Sequence, residues 1–267
     1  MLIDRAVAVV SRPLSAGADV MMISSATLPM SRVLPDGTLL KNQLLASLPD
    51  DLFARIARDL RLVKIQVGDV VIEHGVPVRD VYFPNGGVFS VTSEMKNGDL
   101  VEVANVGIEG MLGVSVFLGD PVGTGRSLLQ VPDGIVPVMP VRRFLDFTAL
   151  PGPFRDAISR YAQAYLLQVM QSVACNALHR IEQRCCRWLL ETHDRIEGDE
   201  FLLKHEYLAI MLGSHRPTVT LVLGALQRAG LITTKYGRIR ILNRANLEAA
   251  SCECYAAIRD QFTRLHV

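Results

Sequence analysis

The chain has 267 residues, of which 49% are hydrophobic and 21% charged, with a formal net charge of +1. That length and apolar content suffice for two domains with their own cores and exclude a disordered chain. Residues 1–38 carry two short apolar patches, 6–10 and 20–23, broken by Ser, Gly and Pro. Neither approaches the ~20 apolar residues of a membrane span. A signal peptide would need a basic start, a longer apolar core and a small-residue cleavage site. This stretch is expected to be a flexible tail, part of which a start codon further downstream would remove.

A first domain is expected over residues 39–150. Leu44, Leu45 and Leu48, then Leu52, Phe53, Ile56 and Leu60, recur at helical steps and predict two short helices. Pro49 and the acids after it suit the start of the second. From Arg61 the pattern changes to short apolar runs separated by turn residues. Strands are predicted at Leu62–Gln66, Val70–Glu73, Asp80–Pro84, Gly87–Glu94, Leu100–Val106, Arg126–Val131 and Ile135–Val141. Asn97-Gly98, between two alternating runs, predicts a type I′ hairpin turn. Many evenly spaced strands point to a double-sheet jelly roll. An enzyme on such a barrel would need clustered His and acid ligands. Residues 61–141 offer His74 alone among histidines, so no catalytic residue is assigned.

Pro151-Gly152-Pro153 breaks the chain ahead of a long helix, 151–176. Phe154, Ile158, Tyr161, Tyr165 and Val169 recur at steps of three and four, a coiled-coil-like seam. Leu166, Leu167 and Met170 are apolar on another face. One face against the barrel and one against a second subunit accounts for both, with Phe154, Ile158, Tyr161, Tyr165 and Val169 expected at the dimer interface. A bend is expected near Cys175-Asn176. The five cysteines, at 175, 185, 186, 252 and 254, form no evident ligand framework. They read as reduced cytoplasmic thiols, and no metal ligand is assigned.

The next helix spans roughly 177–193, and the domain it opens extends to 244. Lys204–Leu212 is a short amphipathic helix followed by Gly213. Ser214 or His215 can cap a second helix, and Pro217 fits its first turn. Val219, Val222, Leu223 and Leu226 share one face, and Gly230 ends the helix. Strands 231–234 and 239–242 flank the Lys235-Tyr236-Gly237-Arg238 turn. Two helices joined by a short Gly-containing turn form a helix-turn-helix, with the hairpin as a wing. Between Phe201 and Arg244 stand seven Lys and Arg against one acid, Glu206, a net of +6 in a chain of +1. Such local cationic charge suits a phosphate backbone. Residues 245–267 continue as a helical extension of unassigned role, patterned on Leu247, Tyr255, Ile258, Phe262 and Leu265.

The run GSHRPTVTLVLGALQRAGLI, residues 213–232, resembles the DNA-reading end of the Crp/Fnr family of bacterial transcription regulators. Arg216, Thr218, Val219, Leu223, Leu226, Gly230, Leu231 and Ile232 match. The resemblance covers roughly 44–242 and implies an α+β fold. Its parts are a cyclic-nucleotide-binding-like jelly roll, a dimerisation helix and a winged helix-turn-helix. It implies a homodimer reading an inverted repeat in double-stranded DNA. Arg216 would pair with bases, while Thr218, Thr220, Lys235, Arg238 and Arg240 would hold phosphates beside Ser214, His215 and Pro217. RNA polymerase would be a further partner of an activator. The family often has Glu and Arg where this chain has Pro217 and Leu221. The operator is therefore not assumed to be the one the cyclic-AMP receptor reads. A ligand-binding or protein-interaction module whose helix-turn-helix does not read DNA stays open as the alternative.

The same resemblance locates an effector segment. Gly110, Leu112, Gly113, Arg126 and Ser127 match the family's ligand cradle, but Met111 stands where a Glu would meet the ribose hydroxyl. A thioether is a weak acceptor, and burying an unpaired hydroxyl costs roughly 1–3 kcal/mol. Cyclic AMP in the usual mode is therefore not expected. No definite cofactor is implied, and Arg126 would suit an unidentified small anionic effector. The oxygen-sensing branch needs an N-terminal cysteine cluster, and no cysteine precedes Cys175.

Overall fold

Alternation of apolar residues sets the strands of the first half, and turn residues set their ends. The computed structural model describes residues 32–132 and 135–264. Most of the expected tail, and Leu265, lie outside that range. Residues 32–38, also assigned to the tail, pack on the barrel instead. Val33 bridges Leu39, Leu34 is buried in the core, and Arg32 bonds Asp50 at 2.6 Å.

Two short helices follow, α1 (Gln43–Ala46) and α2 (Asp50–Ala57). The Asn42 side chain accepts from Leu45 N at 3.1 Å, capping α1, and donates to Pro84 and Gly110 carbonyls at 2.9 Å. The seven strands are β1 (Arg61–Val63), β2 (Val70–Ile72), β3 (Asp80–Tyr82), β4 (Val88–Glu94), β5 (Leu100–Val106), β6 (Arg126–Val131) and β7 (Val136–Pro140). They form two antiparallel sheets, β2-β6-β4-β5 and β1-β7-β3. Each expected strand is present, several of them shorter than predicted. The β4–β5 turn is not type I′. Only Gly98 takes positive φ, and Gly98 N donates to Met95 O while Met95 N donates to Asp99 O. The extra residue opens a longer loop around an ordinary turn.

Two further helices pack here: α3 (Val114–Phe117), between β5 and β6, and α4 (Val141–Thr148), after β7. The latter begins where the last strand was expected to finish, with Val141 N donating to Arg79 O at 2.9 Å. Phe144 of α4 meets Phe154 edge-on at 5.8 Å.

The long helix α5 runs Pro153–Leu178, 26 residues or about 39 Å. Its break falls at His179-Arg180, slightly beyond the expected bend. The helix α6 (Ile181–His193) follows, and Arg180 N donates to Gln183 Oε1 at 3.3 Å at its start. A strand not foreseen in the sequence, β8 (Glu200–Leu202), joins the wing. Then come α7 (His205–Met211), α8 (Arg216–Arg228), β9 (Ile232–Lys235) and β10 (Arg238–Ile241), in a sheet ordered β8-β10-β9. The extension folds as α9 (Arg244–Ala250) and α10 (Cys254–Arg264). It is part of the core: Ile258 and Phe262 of α10 join the barrel's apolar cluster, with Phe262 6.5 Å from the ring of Tyr161 on α5.

Candidate nucleic-acid interface and effector site

The helix-turn-helix is held by a small apolar core. Leu208 and Met211 of α7 and Val219, Val222, Leu223 and Leu226 of α8 are buried together with Trp188 of α6. Gly213 turns the chain with φ +53, where a side chain would be strained and would press on Val101 of β5. Ser214 N then donates to Ala209 O at 2.9 Å. His215 precedes α8, but its side chain caps nothing. The core-facing residues of α8 leave Arg216, Pro217, Thr220, Leu221 and Arg228 on the outer face, with Thr218 half-buried. Leu221, at 73% exposure, is the apolar centre of that face.

Thr220 is turned inward on itself. Its Oγ1 donates to Arg216 O at 3.1 Å and lies 3.2 Å from His205 Nδ1. Arg216 sits 3.3 Å from Glu206 yet remains exposed. On the wing, Arg238 and Arg240 pair with Glu200 of β8 at 3.4 and 2.8 Å. That acid lies just outside the stretch with a net of +6, so the local cationic charge is smaller than the sequence implies. Surface pairs of this kind are weak and exchange readily for phosphate. The wing turn is the type I′ turn of this chain: Tyr236 has φ +50 and Gly237 φ +73. Tyr236 is 92% exposed at its tip, with Lys235 Nζ 5.5 Å from its ring centre.

The effector residues are only partly brought together. Met111, Leu112, Gly113 and Ser127 line one cavity with Val91, Val106 and Tyr165. That cavity measures about 20 Å³, room for roughly one water. Met111 is fully buried, and Tyr161 donates its hydroxyl to Met111 O at 2.9 Å. Gly110 packs against the Tyr161 ring, where any side chain would collide. Arg126 is outside the cavity, 3.4 Å from Glu73. A larger cavity of about 200 Å³ lies between the loop after β5 and helices α6 and α10, lined by Glu109, Arg195, Tyr255, Arg259 and others.

The seam on α5 needs correction. Phe154, Ile158 and Tyr161 are buried against the chain's own barrel, and Tyr165 and Val169 pack beside them. Phe154, Ile158 and Tyr161 are therefore not free for a second subunit. Burial against the barrel satisfies the residues with the strongest periodicity. Leu166, Met170 and Val173 instead lie 59–63% exposed, at steps of four and three.

Polar groups join the barrel to the second half. Glu102 of β5 accepts from Trp188 Nε1 at 3.0 Å and from Ser90. Asn105 donates to Glu191 at 2.7 Å, and Gln168 of α5 donates to Asn105 at 2.9 Å. Burial is the main reason the Glu102 carboxyl is pushed up to about 7, with the Glu191 charge adding to it. Glu109 and Arg195 form a second, bidentate junction.

All five cysteines are free thiols, and three of them gather with one histidine. Cys175 and His179 at the end of α5 meet Cys252 and Cys254 ahead of and at the start of α10. One ligand atom from each lies within 4.8 Å of all the others. Cys175 is pulled down to about 5, first by a hydrogen bond from Cys252, with the Arg187 charge and His179 contributing, while Cys252 is pushed up. The partners are 77 residues apart, so no local spacing signalled them.

Residues 183–250 match the Crp-like helix-turn-helix domain family. The transcriptional regulator SdrP of Thermus thermophilus is 27% identical over 196 residues, covering 70% of this chain and 92% of its own. Residues 183–250 thus carry a Crp-like helix-turn-helix, and most of the chain is similar to a transcriptional regulator. Solved structures share the chain's fold. A crp/fnr-family transcriptional regulator from Eubacterium rectale aligns with TM-score 0.60 at 18% identity, covering 79% of this chain and 98% of that one. The c-di-GMP responsive regulator CLP of Xanthomonas campestris aligns with TM-score 0.58 at 16% identity, covering 72% and 99%. The family match runs through α9, so that helix belongs to the helix-turn-helix domain. Among the described residues, no helix is long and apolar enough to cross a membrane.

Proposed function

We propose that the protein is a transcription regulator of Crp/Fnr type, a cytoplasmic homodimer that lays α8 of each subunit into adjacent major grooves, about 34 Å apart, and reads an inverted repeat. The supporting observation is the outer face of α8, where Arg216 leads an exposed strip that includes Leu221 and Arg228. Arg216 is suited to guanine O6 and N7, and Leu221 to a thymine methyl. Lys235, Arg238 and Arg240 hold phosphates. In selection from random duplexes followed by titration, Arg216→Ala costs about 1–3 kcal/mol, roughly 5- to 150-fold in Kd. Arg238→Ala weakens all sequences alike and lowers the salt slope by about 1. Cyclic AMP leaves affinity unchanged, because the closed cavity and Met111 offer the ribose no carboxylate. Binding that ignores both salt and Arg216 would favour the protein-interaction alternative.

The dimer forms through Leu166, Met170 and Val173. This stripe has the knob spacing of a two-helix seam and lies opposite the barrel-facing residues. Leu166→Asp with Met170→Asp is expected to halve the mass seen by analytical ultracentrifugation while the circular dichroism of the barrel persists. An unchanged mass would rule out this face.

A further inference from the structure

The cysteine cluster beside the α5–α6 break is used neither by the barrel nor by the DNA-reading face. We infer that Cys175, His179, Cys252 and Cys254 form a closed tetrahedral site for one zinc ion, which ties the C-terminal extension to the end of α5.

The geometry fits a single ion. Zinc–sulfur bonds of about 2.3 Å in a tetrahedron place sulfurs roughly 3.8 Å apart. Cys175 Sγ and Cys252 Sγ are 3.5 Å apart, Cys254 Sγ and His179 Nδ1 are 3.4 Å apart, and no pair in the set exceeds 4.8 Å. An iron–sulfur cluster interposes several metal atoms and spreads its ligands further. Three thiolates and one imidazole are the donor set of a structural zinc site, with no position left for substrate.

The surroundings fit as well. The other ring nitrogen of His179, Nε2, lies 3.2 Å from Glu253 Oε1. Such a carboxylate fixes the imidazole tautomer and orientation for a metal. Gln171 Nε2 donates to Cys254 Sγ at 3.0 Å, a contact that suits a thiolate. Zinc with three thiolates carries net −1, and the charge of buried Arg187 reaches Cys175. The pairs come from two places: His179 follows Cys175 by four residues at the helix end, and Cys252-x-Cys254 joins α9 to α10. The ion would therefore hold the extension on the break that sets the direction of α6.

Full-length protein purified anaerobically with a thiol reductant is expected to hold about one zinc per chain by inductively coupled plasma mass spectrometry. Cobalt(II) in its place is expected to give the intense d–d bands of a tetrahedral thiolate site and a sulfur charge-transfer band. Cys252→Ser and Cys254→Ser lose the metal, while Cys185→Ala, in the α6 core, keeps it. His179→Cys keeps the ion with an altered cobalt spectrum, and Glu253→Gln weakens zinc about 10-fold. The wild-type metal content decides the question even if a variant fails to fold. Stoichiometric iron with acid-labile sulfide, stoichiometric copper, a Cys175–Cys252 disulfide in the reductant-purified protein, or no zinc uptake on titration would each overturn the assignment.

Discussion

Arg195→Ala is expected to lower the free energy of unfolding by about 3–5 kcal/mol, the usual loss when one partner of a buried ion pair is removed. Arg195 and Glu109 are both buried and meet through two parallel bonds of 2.9 Å. Arg195 Nη1 also donates to Glu191 O at 3.1 Å, and Gly107 N donates to Glu109 Oε1 at 3.0 Å. Without the guanidinium, Glu109 keeps the Gly107 N–H but is left as a buried charge without a counterion. The loss comes mainly from that stranded carboxylate. Glu109→Gln with Arg195→Met should therefore recover most of it. Urea unfolding monitored at Trp188 measures both. A loss below about 1 kcal/mol for the single variant would mean that water reaches the pair. The pair lies one residue from the Gly110-Met111 segment, so it also fastens the effector loop to the start of the DNA-reading half.

Stability should also fall as pH rises from about 4.5 to about 7, through Glu102. Its folded-state carboxyl is raised to about 7 from 4.5. Across that window the folded chain holds a proton that the unfolded chain has released, so each rise in pH favours unfolding. The full penalty, about 3 kcal/mol, is reached above pH 7 and is absent below about 4.5. Glu102→Gln removes the titration while still accepting from Trp188 Nε1. The stability difference between wild type and variant should change by about 3 kcal/mol between pH 4.5 and pH 8, with other groups cancelling. A constant difference would show that Glu102 is ionised throughout. Because Glu102 faces Trp188 and Glu191 of α6, with Arg187 near, its charge bears on the fit between barrel and DNA-reading half.

Much of this architecture was legible because it is local. Period-two runs gave all seven barrel strands, and Gly213 with Pro217 located both helices of the DNA-reading motif. The errors arose where two local signals competed or where contacts were distant. Asn97-Gly98 carries a hairpin signal, but the five-residue loop takes another turn, and the type I′ geometry falls at Tyr236-Gly237. The most regular apolar spacing on α5 belongs to the face the barrel covers, so the periodicity that suggests a partner is taken up largely by the chain itself at Phe154, Ile158 and Tyr161. Arg126 matches a phosphate-gripping motif, yet it stands outside the cavity, 3.4 Å from Glu73 just past β2. The metal ligands come from two segments that meet only after α9 and α10 fold back on α5.

That fold-back bears on synthesis. Ile258 and Phe262 complete an apolar cluster begun at Leu34 and Leu44. As the chain leaves the ribosome, the barrel and α5 emerge long before the helix that covers them. Until α10 also emerges, the nascent N-terminal half exposes the Tyr161 side of its rod to solvent and to chaperones. A transcript ending early would thus yield a sticky, incompletely sealed product rather than a shorter working sensor.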